Sequence, residues 1–508
     1  SQEEEFMAKT LRTTSALAVV VMTLVSACGS SSASPSTAAS AAAPSAAAPS
    51  AAAPSASASA AASAAPAAAA AANLPAVPTG YSELDKALGA DKPYNGKKVS
   101  IQTQWTGGEG TGFAAAIADF AKATGINIQV DSIGSSHETV LKTRIEGGNP
   151  PDMAALAQPT GVLAYAKQGK VKDIAAIVGA DGAAKLKAEF PTTIALTSEG
   201  DHIWSIPTKA DVKSMIWYPV KAFQAKGYTV PKTWDELVAL ADKIKADGSH
   251  PFCVSAGGPG TATGWELTDW VEEVLLKSED PQVTADWVSH KIPFSDPKIK
   301  AAFDKVGSLL FKDGYVDGGG PAIVNADLKT VMDPMFTQDT AAPGCWMQKI
   351  PVWYGPDFFP DKRTSGTDSK YVIGDDGDIG IFPFPTISDT FKGAEGSADS
   401  FMVLNDRPEV RAFAEFLATP EGLEGWIKGV GVLSPNVKVP AEWYAGNYKL
   451  KVANDIASAA TSIGFDASDL MPPAVGQGSF WTGISDWANS NGSNTDSVLK
   501  AIDDSWPK

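Results

Sequence analysis

The chain of 508 residues carries 41 Lys and Arg against 58 Asp and Glu, a formal charge of −17. With no basic patch to offset it, that balance excludes nucleic acid as a partner and disfavours anionic polymers and lipid headgroups as ligands. His137, His202, His250 and His290 stand apart, which removes H-E-x-x-H and clustered Cys/His metal sites, so no metal and no cofactor is expected.

The chain opens with an acidic Ser1–Phe6 stretch that suits no export leader, followed by Met7. Lys9 and Arg12 then form a basic start, and Ala16 to Val25 an apolar run too short to cross a bilayer as a helix. Leu24-Val25-Ser26-Ala27-Cys28 resembles the pattern that bacterial lipoprotein processing cuts and acylates. Residues 7–28 are therefore expected to be a lipoprotein signal, with a diacylated Cys28 as the membrane anchor. Residues 29–78 are nearly all Ala, Ser and Pro, with three Ala-Ala-Ala-Pro-Ser units from Ala41 to Ser55. The recurring Pro breaks helix, and no large apolar side chain repays ordering. This segment is expected to be a semi-extended tether reaching on the order of 100 Å.

The remaining body is long enough for two lobes with separate cores. Alternating apolar residues predict a strand at 98–105, and a glycine-rich turn at 107–112 precedes a helix marked by Phe113, Ile117 and Phe120. Ile126, Ile128 and Val130 predict a second strand, Val140, Leu141 and Ile145 a second helix, and Met153–Ala157 a buried strand. This β-α-β-α-β start predicts a parallel sheet covered by helices on both faces, with ligands at the strands' carboxyl ends. Further helices are expected at 235–246 after the cap-like Thr233, and at 265–277, 408–418 and 420–428. Long Pro/Gly-rich loops between 314 and 400 have the character of functional loops.

Few motifs point to catalysis. The 107–112 glycines mis-space a dinucleotide fingerprint, and Glu109 would repel the phosphate it exists to hold. Asp375-Asp376-Gly377-Asp378 lacks the Glu that would complete a calcium loop. A carboxylate pair assembled from distant positions leaves a surface-anchored glycoside hydrolase as the alternative. A neutral polyhydroxylated ligand needs aromatic faces and acceptor carboxylates. Trp105 with Glu109 supplies that pair once, and Trp265 with Asp269, four apart at a helix start, supplies it again. Apart from Cys28, Cys253 and Cys345 are the remaining cysteines, and an exported chain makes one disulfide their first reading over two free thiols.

Several stretches carry a family resemblance: Gly147-Gly148-Asn149-Pro150-Pro151-Asp152, Ala210-Asp211-Val212-Lys213-Ser214-Met215-Ile216-Trp217-Tyr218-Pro219 and Ala262-Thr263-Gly264-Trp265-Glu266-Leu267-Thr268-Asp269-Trp270. Asn405-Asp406-Arg407-Pro408, Leu433-Ser434-Pro435-Asn436 and Phe465-Asp466-Ala467-Ser468-Asp469 continue it. Over nearly all of 97–508 the chain resembles solute-binding proteins of carbohydrate ABC transporters, in particular the α-glucoside branch. The resemblance implies a two-lobed α/β fold, each lobe a mainly parallel sheet flanked by helices, hinged by crossovers, the first near 207–214. The lobes are expected as 97–208 with 331–398, and 209–330 with 399–508. It implies a monomeric, membrane-tethered receptor, not an enzyme, that captures a sugar by lobe closure and delivers it to ABC permease subunits outside the cell membrane. The same fold could serve a non-sugar or osmolyte ligand. Trp105, Trp265, Trp346 and Trp481 are the candidates to stack on a sugar. Glu109, Gln158, Asp269 and Asp399 are the candidates to accept its hydroxyls. Asp399 lies in Gly396-Ser397-Ala398-Asp399, where the family carries a Gly-Gly-Asp-like loop.

Overall fold

The computed structural model describes residues 73–257, 263–336 and 343–507. Cys28 and the tether up to residue 72 lie outside the described residues. Among those described, no helix is long and apolar enough to cross a membrane.

Strands β1 (Lys98–Thr103), β2 (Asn127–Ser132) and β3 (Met153–Leu156) form the expected start, with β1 parallel to both β2 and β3. The short pair β4 (Ser198–Glu199) and β5 (His202–Ile203) stands apart as a two-stranded ribbon. Strand β6 (Ile206–Val212) is the last of the first lobe before the chain passes through Lys213 and Ser214 into β7 (Met215–Pro219) of a second sheet. That sheet also holds β8 (His250–Phe252), β9 (Cys345–Lys349) and β10 (Ile379–Pro383), in the order β10-β7-β9-β8. The chain returns as the long β11 (Gly393–Val403), which pairs with β6, β3 and β12 (Ser462–Phe465) of the first sheet. The second sheet is the more antiparallel: only its β8–β9 pairing is parallel.

These pairings correct the expected lobe boundaries. Of segment 331–398, only the start of β11 at 393–398 belongs with 97–208, because β9 and β10 complete the second sheet. Nor does all of 399–508 belong to the second lobe. Helices Pro408–Leu417 and Glu421–Val430 bury Val410, Phe413, Phe416 and Trp426 with Phe113 and Phe120 in the first lobe's core. Helix Tyr448–Ala459 packs Leu450, Ala453 and Ile456 against Trp217 and Ile381 of the second sheet, and from Ala467 onward Phe480, Trp487 and Leu499 join the second lobe's larger core. The first lobe also starts before residue 97, since Tyr81, Leu84 and Ala87 are fully buried in it. Pairing between distant strands decides lobe membership, and no local pattern encodes it.

Local signals hold up well elsewhere. The helix Trp234–Ala246 begins with a reciprocal capping box between Thr233 and Glu236, satisfying two orphan backbone donors. The glycine-rich stretch differs: it is not a turn before the helix but the helix itself, Gly107–Ala116. The glycines serve close packing. A Cβ on Gly110 would lie 2.6 Å from the Trp105 carbonyl, and one on Gly112 2.1 Å from the Val430 side chain. Cys253 and Cys345 are joined as a disulfide, Cα atoms 5.4 Å apart, tying the end of β8 to the start of β9.

Candidate functional site

A cavity of about 350 Å³ opens between the lobes, floored by the crossing strands. The first lobe contributes Trp105, Glu109, Glu138, Gln158 and Asp399, and the second Trp265, Trp353, Phe358 and Trp481. On the floor lie Lys209, Asp211 and Lys213, with Asp466 and Asp469 beside them. Lys209, Asp211 and Lys213 alternate along β6 and its exit, so the strand period of two sends all three to one face.

The electrostatics are built around two buried ammonium groups. Lys209 Nζ lies 2.6 Å from Glu109, 3.2 Å from Asp399 and 3.4 Å from Asp211. Lys213 Nζ lies 2.5 Å from Asp466, 2.8 Å from Asp269 and 3.8 Å from Glu395. Burial alone would pull both lysines down, but their carboxylate neighbours outweigh it and hold both well above the ordinary lysine range. Burial pushes the Asp211 carboxyl up to about 7, opposed by Lys209 and reinforced by Asp399 and Glu109. Burial likewise raises Glu109 against the pull of Lys209.

Above this floor stands an aromatic wall. Trp265 and Trp353 have ring centroids 6.3 Å apart, and Phe358 lies 5.4 Å beyond Trp353. All three are only half-buried, so part of each ring remains open to the cavity. Lys209 Nζ is 5.9 Å from the Trp353 centroid and Lys213 Nζ 5.8 Å from that of Trp265.

The residues expected from the sequence divide into three groups. Glu109, Gln158, Trp265, Asp399 and Trp481 line the cavity, with Trp481 Nε1 donating to Ser468. Trp105 lines it too, but its ring is spent on Phe113, Phe401 and Trp426, and its Nε1 donates to Asp399 at 2.7 Å. It positions Asp399 more than it offers a face. Asp399 itself lies within strand β11, not in a loop. Asp269 is set back from the cavity, 2% exposed and held by Lys213. Trp346 is a correction: it is 1% exposed in the second core between Phe223 and Tyr228, with its Nε1 donating to Ser249. As part of β9 it points to the apolar side of the sheet, where burying its ring is most favourable.

Sequence reasoning missed Lys209, Asp211, Lys213 and Trp353. The charged alternation Lys209-Ala210-Asp211-Val212-Lys213 was the available signal for the first three. Trp353 sits in the Pro/Gly-rich region singled out for long loops, beside Gly355 and Pro356. Oxygens of Asp269, Glu395 and Asp466 come within 4.8 Å of one another, a spacing suited to a metal ion. Two of the three carboxylates are within 2.8 Å of the Lys213 ammonium, so that cation already sits in the cluster.

Two lobes joined by chain crossings around one aromatic and acidic cleft define a hinged receptor for a small polar solute. Residues 104–424 match the family of bacterial extracellular solute-binding proteins, and the chain belongs to it. It is 32% identical over 415 residues to the alpha-glucosides-binding periplasmic protein AglE of Rhizobium meliloti, covering 81% of this chain and 87% of that protein. It is 30% identical over 413 residues to the osmoprotective compounds-binding protein GgtB of Synechocystis sp., covering 81% and 93%. The fold is also similar to the solute receptor AcbH, described with an exclusive preference for β-D-galactopyranose (TM-score 0.66, 16% identity, 80% of this chain and 98% of that one). A maltose-bound MalE3 of T. maritima superimposes with a TM-score of 0.60 at 16% identity, over 80% and 98%.

Proposed function

We propose that this protein captures a sugar of the α-glucoside or small-oligosaccharide class and hands it to an ABC importer. The observation that carries this reading is the pairing of the Trp265–Trp353–Phe358 wall with the carboxylates around Lys209 across one cavity. Aromatic faces cover the apolar C–H side of a sugar ring, while carboxylates and the Gln158 amide take its hydroxyls. A cavity near 350 Å³ falls at the small end of ligand sites, about 300–1,000 Å³, and suits one or two sugar rings. The relative AglE, named for alpha-glucosides, supports the ligand class.

Capture works by shifting an equilibrium between open and closed lobes, because only the closed form brings both sets of side chains onto the ligand. The lobes meet directly at Asp357, whose carboxylate lies against Gly108 so closely that a Cβ there would be 1.5 Å away. Thr160 of the first lobe donates to the carbonyls of Asp469 and Met471 of the second, at 3.0 and 2.8 Å. Acylation of Cys28 would hold this monomeric receptor at the outer face of the membrane, and the Ala/Pro/Ser tether would let it reach its permease. No step of this function is catalytic.

Calorimetric titration with maltose, trehalose and sucrose tests the reading. Saturable binding of at least one, with a micromolar or tighter dissociation constant near −8 kcal/mol, is expected. No saturable binding, or release of glucose on incubation, would reject it, the latter in favour of a surface-anchored hydrolase. The similarity to GgtB, named for osmoprotective compounds, supports adding a small polyol glucoside to the panel.

A further inference from the structure

Three carboxylates share the single Lys209 ammonium, and they do not share it equally. Glu109 and Asp399 approach it most closely, and Asp399 also accepts the Trp105 indole N–H. Asp211 is the most distant, reaching Lys209 only through Oδ2. Its Oδ1 is buried and has no hydrogen-bond partner among the described residues. The residue is 7% exposed yet lines the cavity. On the same cavity the buried Gln158 Oε1 is also without a donor, while the Gln158 side chain bonds Asp469. Beside the cavity, Asp211 and Gln158 thus keep buried acceptors without hydrogen-bond donors.

The charged groups around Asp211 come from every side. Lys209 and Lys213 come from its own strand and its exit, Glu109 from helix Gly107–Ala116, Asp399 from β11, and Lys449 from helix Tyr448–Ala459. Lys213 is committed to its own carboxylates, and Lys449 donates to the Tyr354 carbonyl at 2.9 Å. A buried carboxylate with one bare oxygen and two anionic neighbours gains most by holding a proton. A donor placed against that oxygen reverses the preference, since hydrogen bonds to the charged form favour it.

Building on the sugar reading of this cavity, we propose that Asp211 is a ligand-reading residue whose carboxyl proton leaves for bulk solvent as a ligand hydroxyl donates to its Oδ1. The neutral carboxyl becomes a carboxylate, the hydroxyl keeps its own proton, and one proton appears in solution. Affinity then rises with pH until Asp211 is ionised in the free protein, and a ligand lacking a donor at that position binds without the release. With the free carboxyl near 7, about half a proton is released per ligand at pH 7, and binding is about tenfold tighter at pH 8 than at pH 6.

The test is calorimetry of the full chain with maltose, or whichever of trehalose and sucrose binds. Runs at pH 7 in two buffers of different ionisation enthalpy yield the proton count, and runs at pH 6 and 8 yield the affinity ratio. Expected are net release in the parent chain, none in Asp211→Asn, and persistent release in Glu415→Gln, whose carboxyl burial also pushes up to about 7 but which does not line the cavity. Should Asp211→Asn bind too weakly to titrate, the parent's affinity ratio between pH 6 and 8 decides. A flat or inverted pH profile, proton uptake, or a release unchanged in Asp211→Asn would overturn the proposal while leaving sugar binding intact. Absence of binding by every sugar would instead overturn the reading beneath it.

Discussion

Lys209 and Lys213 sit four residues apart on one strand and its exit, and each is ringed by three buried carboxylates below a tryptophan. Their surroundings differ in what lies behind them. Glu109, Asp211 and Asp399 around Lys209 all line the cavity, whereas around Lys213 only Asp466 does. Behind Lys213, Asp269 comes from helix Trp265–Ser278 and Glu395 from β11, where Glu395 also meets Lys349 at 3.0 Å. The same chemistry is turned toward the cavity in one nest and toward the joint between lobes in the other. Burial behind the lysine, more than the identity of its partners, separates a reading site from a structural tie.

Lys213→Met should break that comparison hardest. Removing the ammonium strands Asp269 and Asp466 as buried carboxylates, at a cost of about 3–5 kcal/mol. Thermal or urea unfolding should show it, and an unchanged melting temperature would mean the nest is no tie. Lys209→Met is expected to lower stability less, because its carboxylates face a cavity where solvent and protons compensate, and to abolish measurable sugar binding in the same titration. If the two variants lose equal stability, the distinction between the nests fails.

The tryptophans allow a finer comparison. Trp353→Ala should weaken sugar binding by about 1.5 kcal/mol, roughly tenfold, through loss of an open ring face. Trp346→Phe should leave affinity unchanged and lower only stability, since that ring is 1% exposed in the second core. A binding loss for Trp346→Phe would return it to the ligand site.

The smallest effect concerns pH. Burial pushes Glu266 up to about 8, opposed by hydrogen bonds from Ser255 and Gln348. Its folded form keeps a proton that the unfolded chain loses near the ordinary Glu value, so the folded state binds more protons between about 4.5 and 8. Its contribution to stability is therefore full at low pH and declines as pH rises through that window. Glu266→Gln, which cannot ionise, should flatten the fall in melting temperature between pH 5 and 8. An unchanged slope would show that Glu266 is not held neutral.

Much of the molecule was legible in one dimension because its signals are local. Strand and helix periods and the Thr233 capping box each depend on residues within a few positions of one another. Trp265 was visible for the same reason, as an aromatic opening a helix. Trp346 was not separable from it, because an aromatic on a strand can point to core or cleft and only sheet pairing chooses. Lys209, Asp211 and Lys213 had a readable alternation, yet nothing local says that this strand is the floor of a cleft.

The chain by itself determined an acidic α/β body behind an Ala/Pro/Ser-rich segment, because composition and short-range periodicity encode those directly; its two lobes were implied by the family resemblance. Tertiary structure alone decided which segments form each lobe, which tryptophans face the cavity, and that Asp211 keeps a bare buried oxygen beside a shared ammonium. Those properties arise where β6 and β11 cross between the lobes, and the field at that crossing is summed over residues as distant in the chain as Glu109 and Asp466.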